Sequence, residues 1–299
     1  MNASMDSPRR GVPWSTRLTV RWGGGRQQFG WCFFAIGMVF AWVFAPEADV
    51  SSLLHFRGEL VQAEGRVTSS QKTGYSVGGS SSRSTGRMRS SGRPVMAHDY
   101  RFTVGGTNYE GVSYVTGGGP MEGRTVRVEF PAGRPGISRI QGMRRAALGP
   151  WMLLVLILPA VGLGVAVSGF LWSQRALSLL GRGAVAVGRL VDQQRTNRTV
   201  NKRVVQRLTY AYADLLSREH SLVVSTHQPQ VLDNADQQRV LYDPEQPARA
   251  VLVGQLPGGV HLAEDGQAEE VPLRRVLAAV LPPILAFAVL VVGAVLRLG

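Results

Sequence analysis

The segment Leu148–Trp172 is a run of 25 residues without a single charged side chain. A run of this length predicts a helix that crosses a membrane, because about 20 apolar residues span the hydrocarbon core. It is too short to cross twice. Trp151 and Trp172 lie near its ends, where aromatic residues are typical of the membrane–water interface. The sequences on either side are therefore modules that flank a membrane helix.

A second apolar run, residues 29–46, precedes it. It is short enough to be weighed against a cleaved signal peptide, and Val43 and Ala45 fit a cleavage site. Pro46 directly after Ala45 should hinder cleavage, so the sequence favours a retained anchor. The third run, residues 276–296, also lacks charge and is broken by Pro282-Pro283.

Residues 1–28 contain five Arg and one acidic residue and show no apolar periodicity. They are predicted to be a disordered basic tail, and the excess of Arg places this end in the cytoplasm. Three crossings then make residues 47–147 extracytoplasmic and residues 173–275 cytoplasmic, with the C-terminus outside. The expected location is the bacterial inner membrane.

Both intervening stretches alternate apolar and polar residues in short runs, which is typical of strands. The expected fold class is membrane α+β, with three transmembrane helices and two small antiparallel sandwich-like or barrel-like β modules. Residues 74–93, rich in Ser, Gly and Arg, are expected to form a flexible loop. Its cations, Arg83, Arg87, Arg89 and Arg93, are either solvated or contact anionic lipid or an acidic partner.

The two β stretches share landmarks in the same order, which indicates an internal repeat. Residues 127–140 align without a gap on residues 239–252, and Gly65-Arg66-Val67 corresponds to Gly188-Arg189-Leu190. The landmarks of the first copy are Tyr100, Phe102, Phe130 and Pro135. Those of the second are Tyr210, Tyr212, Tyr242, Asp243, Pro244 and Pro247.

The strand Tyr210–Tyr212 and the turn V-x-Y-D-P-x-x-P at residues 240–247 resemble the bacterial membrane proteins of domain-of-unknown-function family 3592. The first copy departs from this pattern, with Phe130-Pro131-Ala132 in place of Tyr-Asp-Pro. The resemblance implies a small β domain beside membrane helices and brings no known catalytic residues. A weaker similarity is to the five-stranded OB-like domain of NfeD-type proteins.

The formal net charge of +13 arises from 33 Lys and Arg against 20 Asp and Glu. Membrane topology and anionic lipid account for such a charge as well as nucleic acid does, and the Arg-rich loop lacks the interleaved aromatic residues of a single-strand binder. Cys32 is the single cysteine, so a disulfide within the chain is excluded. The sequence contains no nucleotide-binding or nucleophile-elbow motif. No catalytic residue, cofactor or metal site is predicted.

The apolar runs lack the ionisable residues that pumps place at membrane depth. Small residues recur every four positions, which favours close helix packing. These residues are Gly37, Ala41, Ala45, Ala160, Gly164 and Ser168. They would serve contacts within the chain, with a partner or in a homo-oligomer.

The leading hypothesis is a non-enzymatic interaction or scaffold protein of the bacterial envelope or of a defence system, with membrane lipids and a protein as partners. One alternative is an accessory subunit of a membrane protease or transporter. Another is an oligomeric channel.

Overall fold

The computed structural model describes residues 11–78, 81–84, 87–90, 92–200, 202–226, 237–263 and 266–298. The chain divides into two compact units. The continuous unit is Val39–Ile157, and the discontinuous unit combines Met1–Met38 with Leu158–Gly299.

Three helices are long and apolar enough to cross a membrane: α2 (Gly25–Phe44), α4 (Ile157–Arg182) and α5 (Leu273–Leu298). Short 3-10 turns extend α2 at Ala45–Glu47 and precede α4 at Pro150–Leu156. The α+β class with three candidate membrane helices is therefore confirmed. The ends differ from expectation, since α4 continues beyond Trp172 to Arg182.

The N-terminal segment contains a helix, α1 (Trp14–Trp22), so the prediction of a disordered tail over residues 1–28 was wrong for the part that the structure describes. Helix α1 buries Ser15, Thr16, Thr19 and Val20. The Thr16 hydroxyl donates to the Glu269 carbonyl at 2.6 Å. Because the buried face consists mostly of small polar residues, the sequence of this helix shows no hydrophobic periodicity. Arg9 and Arg10 lie outside the described residues.

The continuous unit contains α3 (Val50–His55) and a five-stranded antiparallel sheet. Its strands are β1 (Leu60–Val77), β4 (Arg93–Val104), β5 (Thr107–Thr116), β6 (Thr125–Pro131) and β7 (Arg139–Ile140), in the order β5-β4-β1-β6-β7. Asp49 caps α3 by accepting from the Ser52 amide at 3.0 Å, and it also accepts from the Arg145 amide at 3.0 Å. These two bonds join α3 to the segment that follows the sheet.

The discontinuous unit contains a second five-stranded antiparallel sheet. Its strands are β8 (Ala184–Val200), β9 (Arg203–Ala213), β10 (Glu219–Thr226), β11 (Gln237–Tyr242) and β12 (Ala250–Leu252), in the order β10-β9-β8-β11-β12. A 3-10 turn, Val253–Gln255, follows. One side of the sheet packs on the C-terminal part of α4 and on α1, through Leu241, Leu180 and Val20.

The two sheets have the same strand order and the same register. Val67 pairs with Tyr100 in one, and Leu190 pairs with Tyr210 in the other. A bulge follows each pair, between Val67 and Ser69 and between Leu190 and Asp192. Residues that are aligned in the sequence therefore occupy equivalent paired positions in the two sheets.

Equivalent residues also occupy equivalent places in the two cores. The rings of Phe102 and Phe130 lie 5.6 Å apart, and those of Tyr212 and Tyr242 lie 5.5 Å apart. A Cβ atom on Gly65 would lie 2.7 Å from Val128 Cγ2, and a Cβ atom on Gly188 would lie 2.7 Å from Val240 Cγ2. Each sheet thus needs a glycine at this position of its central strand.

The segment expected to be a loop, residues 74–93, contains strands. β1 continues to Val77, and a two-stranded hairpin pairs β2 (Ser81–Ser84) with β3 (Arg87–Ser90) before β4 begins at Arg93. Gly has low strand propensity, and the segment carries no apolar alternation, so its strands follow from the pairing of β1 with β4 that leads into it.

Helix α5 continues through Pro282 and Pro283, where the sequence predicted a break. Proline has no amide hydrogen, so these two residues leave the carbonyls of Ala278 and Ala279 without their helical donors. The Gln28 side-chain Nε2 lies 3.3 Å from the Ala278 carbonyl oxygen and 3.0 Å from that of Ala279. A side chain from α2 therefore satisfies the carbonyls that the prolines free, which allows an unbroken helix in a membrane.

We expect Gln28→Leu to destabilise the discontinuous unit by about 1–3 kcal/mol, because the carbonyls of Trp22, Ala278 and Ala279 lose this donor. In a Pro282→Ala/Pro283→Ala background the same substitution should cost less, since α5 then supplies amide donors to Ala278 and Ala279 and only the Trp22 bond is lost. Thermal unfolding of the four proteins in detergent measures the coupling. Gln174→Leu is a matched control, because its Nε2 has no partner among the described residues. Equal costs in both backgrounds would contradict the assignment.

Gly65→Ala and Gly188→Ala should each destabilise their own sheet by about 1–3 kcal/mol, because the added methyl group overlaps a valine across the strand pair. Gly74→Ala, where a Cβ atom meets nothing within 4 Å, should have little effect. Hydrogen exchange measured by mass spectrometry locates the loss of protection in one sheet or the other. Unchanged exchange in both variants would show that the valines move aside freely.

Candidate functional site

The second sheet extends into a two-stranded arm with a high density of positive charge, here called the basic ribbon (residues 192–207). Its described cations are Arg195, Arg198, Lys202, Arg203 and Arg207, and all five side chains are exposed. Asp192 is the one acidic residue in this range, and it accepts a bond from Gln194 rather than from a cation. None of the ion pairs found among described residues involves these five cations.

The position of the basic ribbon follows from the strand pairing. β8 pairs with β11 only as far as Arg189, and β9 pairs with β10 from Gln206 onward. Between these limits β8 and β9 pair with each other alone, so both outer edges of the ribbon are open in the part of the chain that the structure describes. Charged side chains on open edges prevent unwanted strand pairing and give the ribbon a positive surface.

The predicted basic residues lie on the corresponding arm of the first sheet. The backbone places Arg83 on β2, Arg87 and Arg89 on β3, and Arg93 at the start of β4, where its side chain is exposed. Arg83 pairs with Met88, and Ser84 pairs with Arg87. The structure thus brings the four predicted positions together on one hairpin arm.

The basic ribbon was not predicted from the sequence, because residues 173–275 as a whole are nearly balanced in charge. Counting by strand would have found it. The two arms begin at the equivalent bulges after Val67 and Leu190. Each β module therefore carries a basic hairpin arm at the same place in its sheet.

A carboxylate organises the turn between β9 and β10. Asp214 accepts from the amides of Leu216 at 2.8 Å and Arg218 at 2.9 Å, and from the side chains of Arg218 and His220 at 3.0 Å each. Burial by itself would raise the pKa of Asp214, but these hydrogen bonds outweigh it and hold the pKa far below its usual range. The carboxylate is therefore ionised at neutral pH and fixes the turn.

A serine–histidine pair lies in the first sheet. Ser70 Oγ is 2.8 Å from His98 Nδ1 and 3.2 Å from the Pro120 carbonyl oxygen. His98 is buried, and this burial lowers its pKa, opposed by the nearby charge of Asp99. A Cβ atom on Gly119 would overlap His98 Nε2. The imidazole is thus a buried neutral group that bonds to Ser70 of β1, and the Ser70 hydroxyl in turn lies beside the loop before β6.

The small residues that were expected to pack helices divide into two groups. Gly37 and Ala41 are buried and Ala45 is half-buried, whereas Ala160, Gly164 and Ser168 are exposed on α4. The face of α4 that packs against α2 instead contains Pro159, Gly162, Ala166 and Gly169. A spacing of four drifts by about 40° per step around a helix, whereas alternate steps of three and four stay on one face.

Among the described residues, no group of three His, Cys, Asp or Glu side chains could hold a metal ion. The repeat landmarks are structural: Tyr100, Phe102 and Phe130 lie in one core, and Tyr210, Tyr212 and Tyr242 in the other. Tyr212 donates its hydroxyl proton to the Pro247 carbonyl, and Asp243 begins the turn that carries Pro244. Pro135 lies half-buried in the corresponding turn of the first sheet.

No family model, curated protein or solved structure matches this chain. The function therefore has to be inferred from residues and geometry.

The neutral state of His98 predicts a pH dependence. Its pKa is lowered from 6.5 in the folded protein, so the unfolded state binds the proton more readily. The stability that neutral His98 contributes is complete above pH 6.5 and is lost as the pH falls through the lower folded pKa. We expect faster exchange of the β4 amides at about pH 5.5 than at about pH 7.5, after correction for intrinsic rates.

His98→Asn should flatten this dependence, because Asn has no proton to gain. His261→Gln, which changes an exposed histidine of the other unit, should leave it unaltered. A β4 exchange profile that responds to pH equally in wild type and His98→Asn would refute the assignment.

Proposed function

We propose that this chain is a non-enzymatic interaction or scaffold protein of the bacterial inner membrane, acting in the envelope or in a defence system. Two basic hairpin arms at equivalent positions of two β modules support the proposal. A scaffold needs exposed charged surfaces on a stable support, and the basic ribbon is continuous with β8, the central strand of the second sheet. We propose a non-enzymatic role because the sequence contains no nucleotide-binding or nucleophile-elbow motif.

We propose further that the two β modules arose by duplication and belong with domain-of-unknown-function family 3592, rather than with the NfeD-like proteins. The shared strand order, register and bulge positions support the duplication. So do the equivalent glycines Gly65 and Gly188, each of which lies against a valine of the neighbouring strand.

The proposed topology has a cytoplasmic N-terminus, an extracytoplasmic residue 47–147 module, a cytoplasmic residue 173–275 module and an extracytoplasmic C-terminus. Two observations support it. Helix α1 shares a core with the second sheet through Val20 and Leu241, which requires the N-terminal segment and that sheet to lie on one side. Arg17 and Arg21 are exposed on α1 beside the first membrane helix, and an excess of Arg is typical of the cytoplasmic side.

The partner of the basic ribbon is proposed to be an acidic protein surface. The ribbon carries cations on both of its faces: Arg195 pairs with Gln206 and Arg203 pairs with Val200, and positions 203 and 206 of β9 face opposite sides. A flat lipid surface would engage one face, whereas a protein surface can contact both. Arg side chains suit such a partner because their guanidinium groups bind carboxylates through two parallel hydrogen bonds.

The test is photo-crosslinking in cells from Asn197, which is exposed near the tip of β8. We expect a protein adduct that falls about tenfold in Arg195→Glu/Arg198→Glu/Arg203→Glu, since three opposed charges abolish the attraction. The matched control, with Lys at the same three positions, keeps the charge and should retain most of the adduct. Equal yields from the Glu and Lys variants, or adducts with lipid alone, would refute the proposed partner.

The second candidate function is an accessory subunit of a membrane protease or transporter. The observation in its favour is the exposed row of small residues on α4, Ala160, Gly164 and Ser168, which would allow another membrane helix to approach closely. Purification in mild detergent distinguishes the candidates, because an accessory subunit would copurify with a larger membrane complex.

A further inference from the structure

The discontinuous unit contains a cavity of about 680 Å³ at the point where α2 begins. Its walls are the turn between α1 and α2, the start of α2, one side of α4 at Gly169 and Trp172, and the loop at residues 254–259. Trp172 ends the charge-free part of α4, and Arg175 follows one turn later. The cavity therefore lies at the level where an embedded chain passes from hydrocarbon to water.

Backbone amides point to an anion as the ligand of this cavity. The Gln28 amide makes the first bond of α2, to the Gly24 carbonyl at 2.9 Å. The amides of Gly25, Arg26 and Gln27 precede it, so the helix offers them no acceptor. A Cβ atom on Gly25 would meet nothing within 4 Å, so this end of the helix faces open space. The positive end of the helix dipole adds to the attraction for a negative group.

The second observation is a buried donor without an acceptor. Gln27 lines the cavity with a fully buried side chain, and its Nε2 has no hydrogen-bond partner among the described residues. Its Oε1 lies 3.5 Å from Ser173 Oγ. A buried amide without an acceptor costs about 1–3 kcal/mol, so the site is one where an added acceptor oxygen would be stabilising.

Arg26 supplies the charge. It lines the cavity with an exposed side chain, and none of the described residues that line the cavity is acidic. No acidic residue lies in the first turn of α2. A volume of several hundred Å³ suits a ligand of tens of atoms rather than a single small ion. The glycines at 24, 25 and 254 leave the backbone accessible to such a ligand.

We propose that this cavity binds the phosphate headgroup of an anionic phospholipid. The phosphate oxygens accept from the amides at the start of α2 and from Gln27, and Arg26 neutralises the negative charge. Trp172 packs beside the glycerol region, and the acyl chains continue into the surrounding hydrocarbon. The cavity is thus a lipid site distinct from the basic ribbon.

The test is native mass spectrometry of the full chain, released from detergent after titration with phosphatidylglycerol or phosphatidylcholine. We expect one retained phosphatidylglycerol per wild-type chain, and about tenfold weaker retention in Arg26→Gln/Gln27→Met, which removes one charge and one donor. Gly25→Leu, which fills the open space at the start of the helix, should have the same effect. Arg189→Gln removes one exposed charge from the same unit outside the cavity and should bind as wild type.

A structural role for Gln27 predicts a different result. If the side chain only packs, Gln27→Met should leave lipid retention unchanged and preserve or raise the unfolding temperature. Equal retention in all variants, or equal retention of the two lipids, would overturn the proposal. Displacement of phosphatidylglycerol by millimolar inorganic phosphate would overturn the lipid assignment in favour of free phosphate.

Discussion

The close contact between α2 and α4 is the constraint on which the discontinuous unit depends. A Cβ atom on Gly162 would lie 2.5 Å from the Phe34 amide nitrogen, and one on Gly169 would lie 2.9 Å from that of Gln27. A Cβ atom on Gly30 would overlap the Ala166 backbone. Between helices in lipid no hydrophobic force remains, so van der Waals contact of backbone on backbone must supply the attraction. Small residues at alternate steps of three and four make that contact continuous.

The same contact positions the groups at the cytoplasmic side of the proposed topology. It brings Gln27 against Gly169 and places the start of α2 beside Trp172. Gln28, one residue along and therefore on another face, reaches α5 and satisfies the two carbonyls freed by the prolines. Adjacent glutamines thus serve different helices. Gln28 bonds to α5 within the helix bundle. Gln27 lines the cavity, and its side-chain amide nitrogen has no acceptor among the described residues.

Helix α4 also joins the membrane part of the unit to its sheet. Its C-terminal turns share a core with α1 and β11, through Leu180, Val20 and Leu241. Gly183 then turns the chain directly into β8, where a Cβ atom would lie 2.5 Å from the Leu179 carbonyl oxygen. The basic ribbon is the far end of that strand. A continuous path of helix and strand therefore runs from the helix pair to the proposed interaction surface.

The two β modules have equivalent core residues but different turns. Gly105 and Gly106 close the first hairpin with positive φ angles, whereas the second uses the hydrogen-bonded carboxylate of Asp214. Core residues such as Tyr100 and Tyr210 are constrained by neighbours on both adjacent strands. The turns and arms have few such neighbours, which is why the two modules can present different surfaces on one framework.

The sequence by itself determined the three apolar spans, the alternating strands and the alignment of one β stretch on the other. These features depend on local hydrophobicity and on a period of two, which each segment carries without reference to its neighbours. Only the tertiary structure decided the packing face of α4, the helix at Trp14–Trp22, the continuity of α5 through two prolines and the strands in the Ser/Gly/Arg segment. Each of these depends on a partner far away along the chain. Gln28 lies about 250 residues from the carbonyls that it satisfies, and no pattern within either segment connects them.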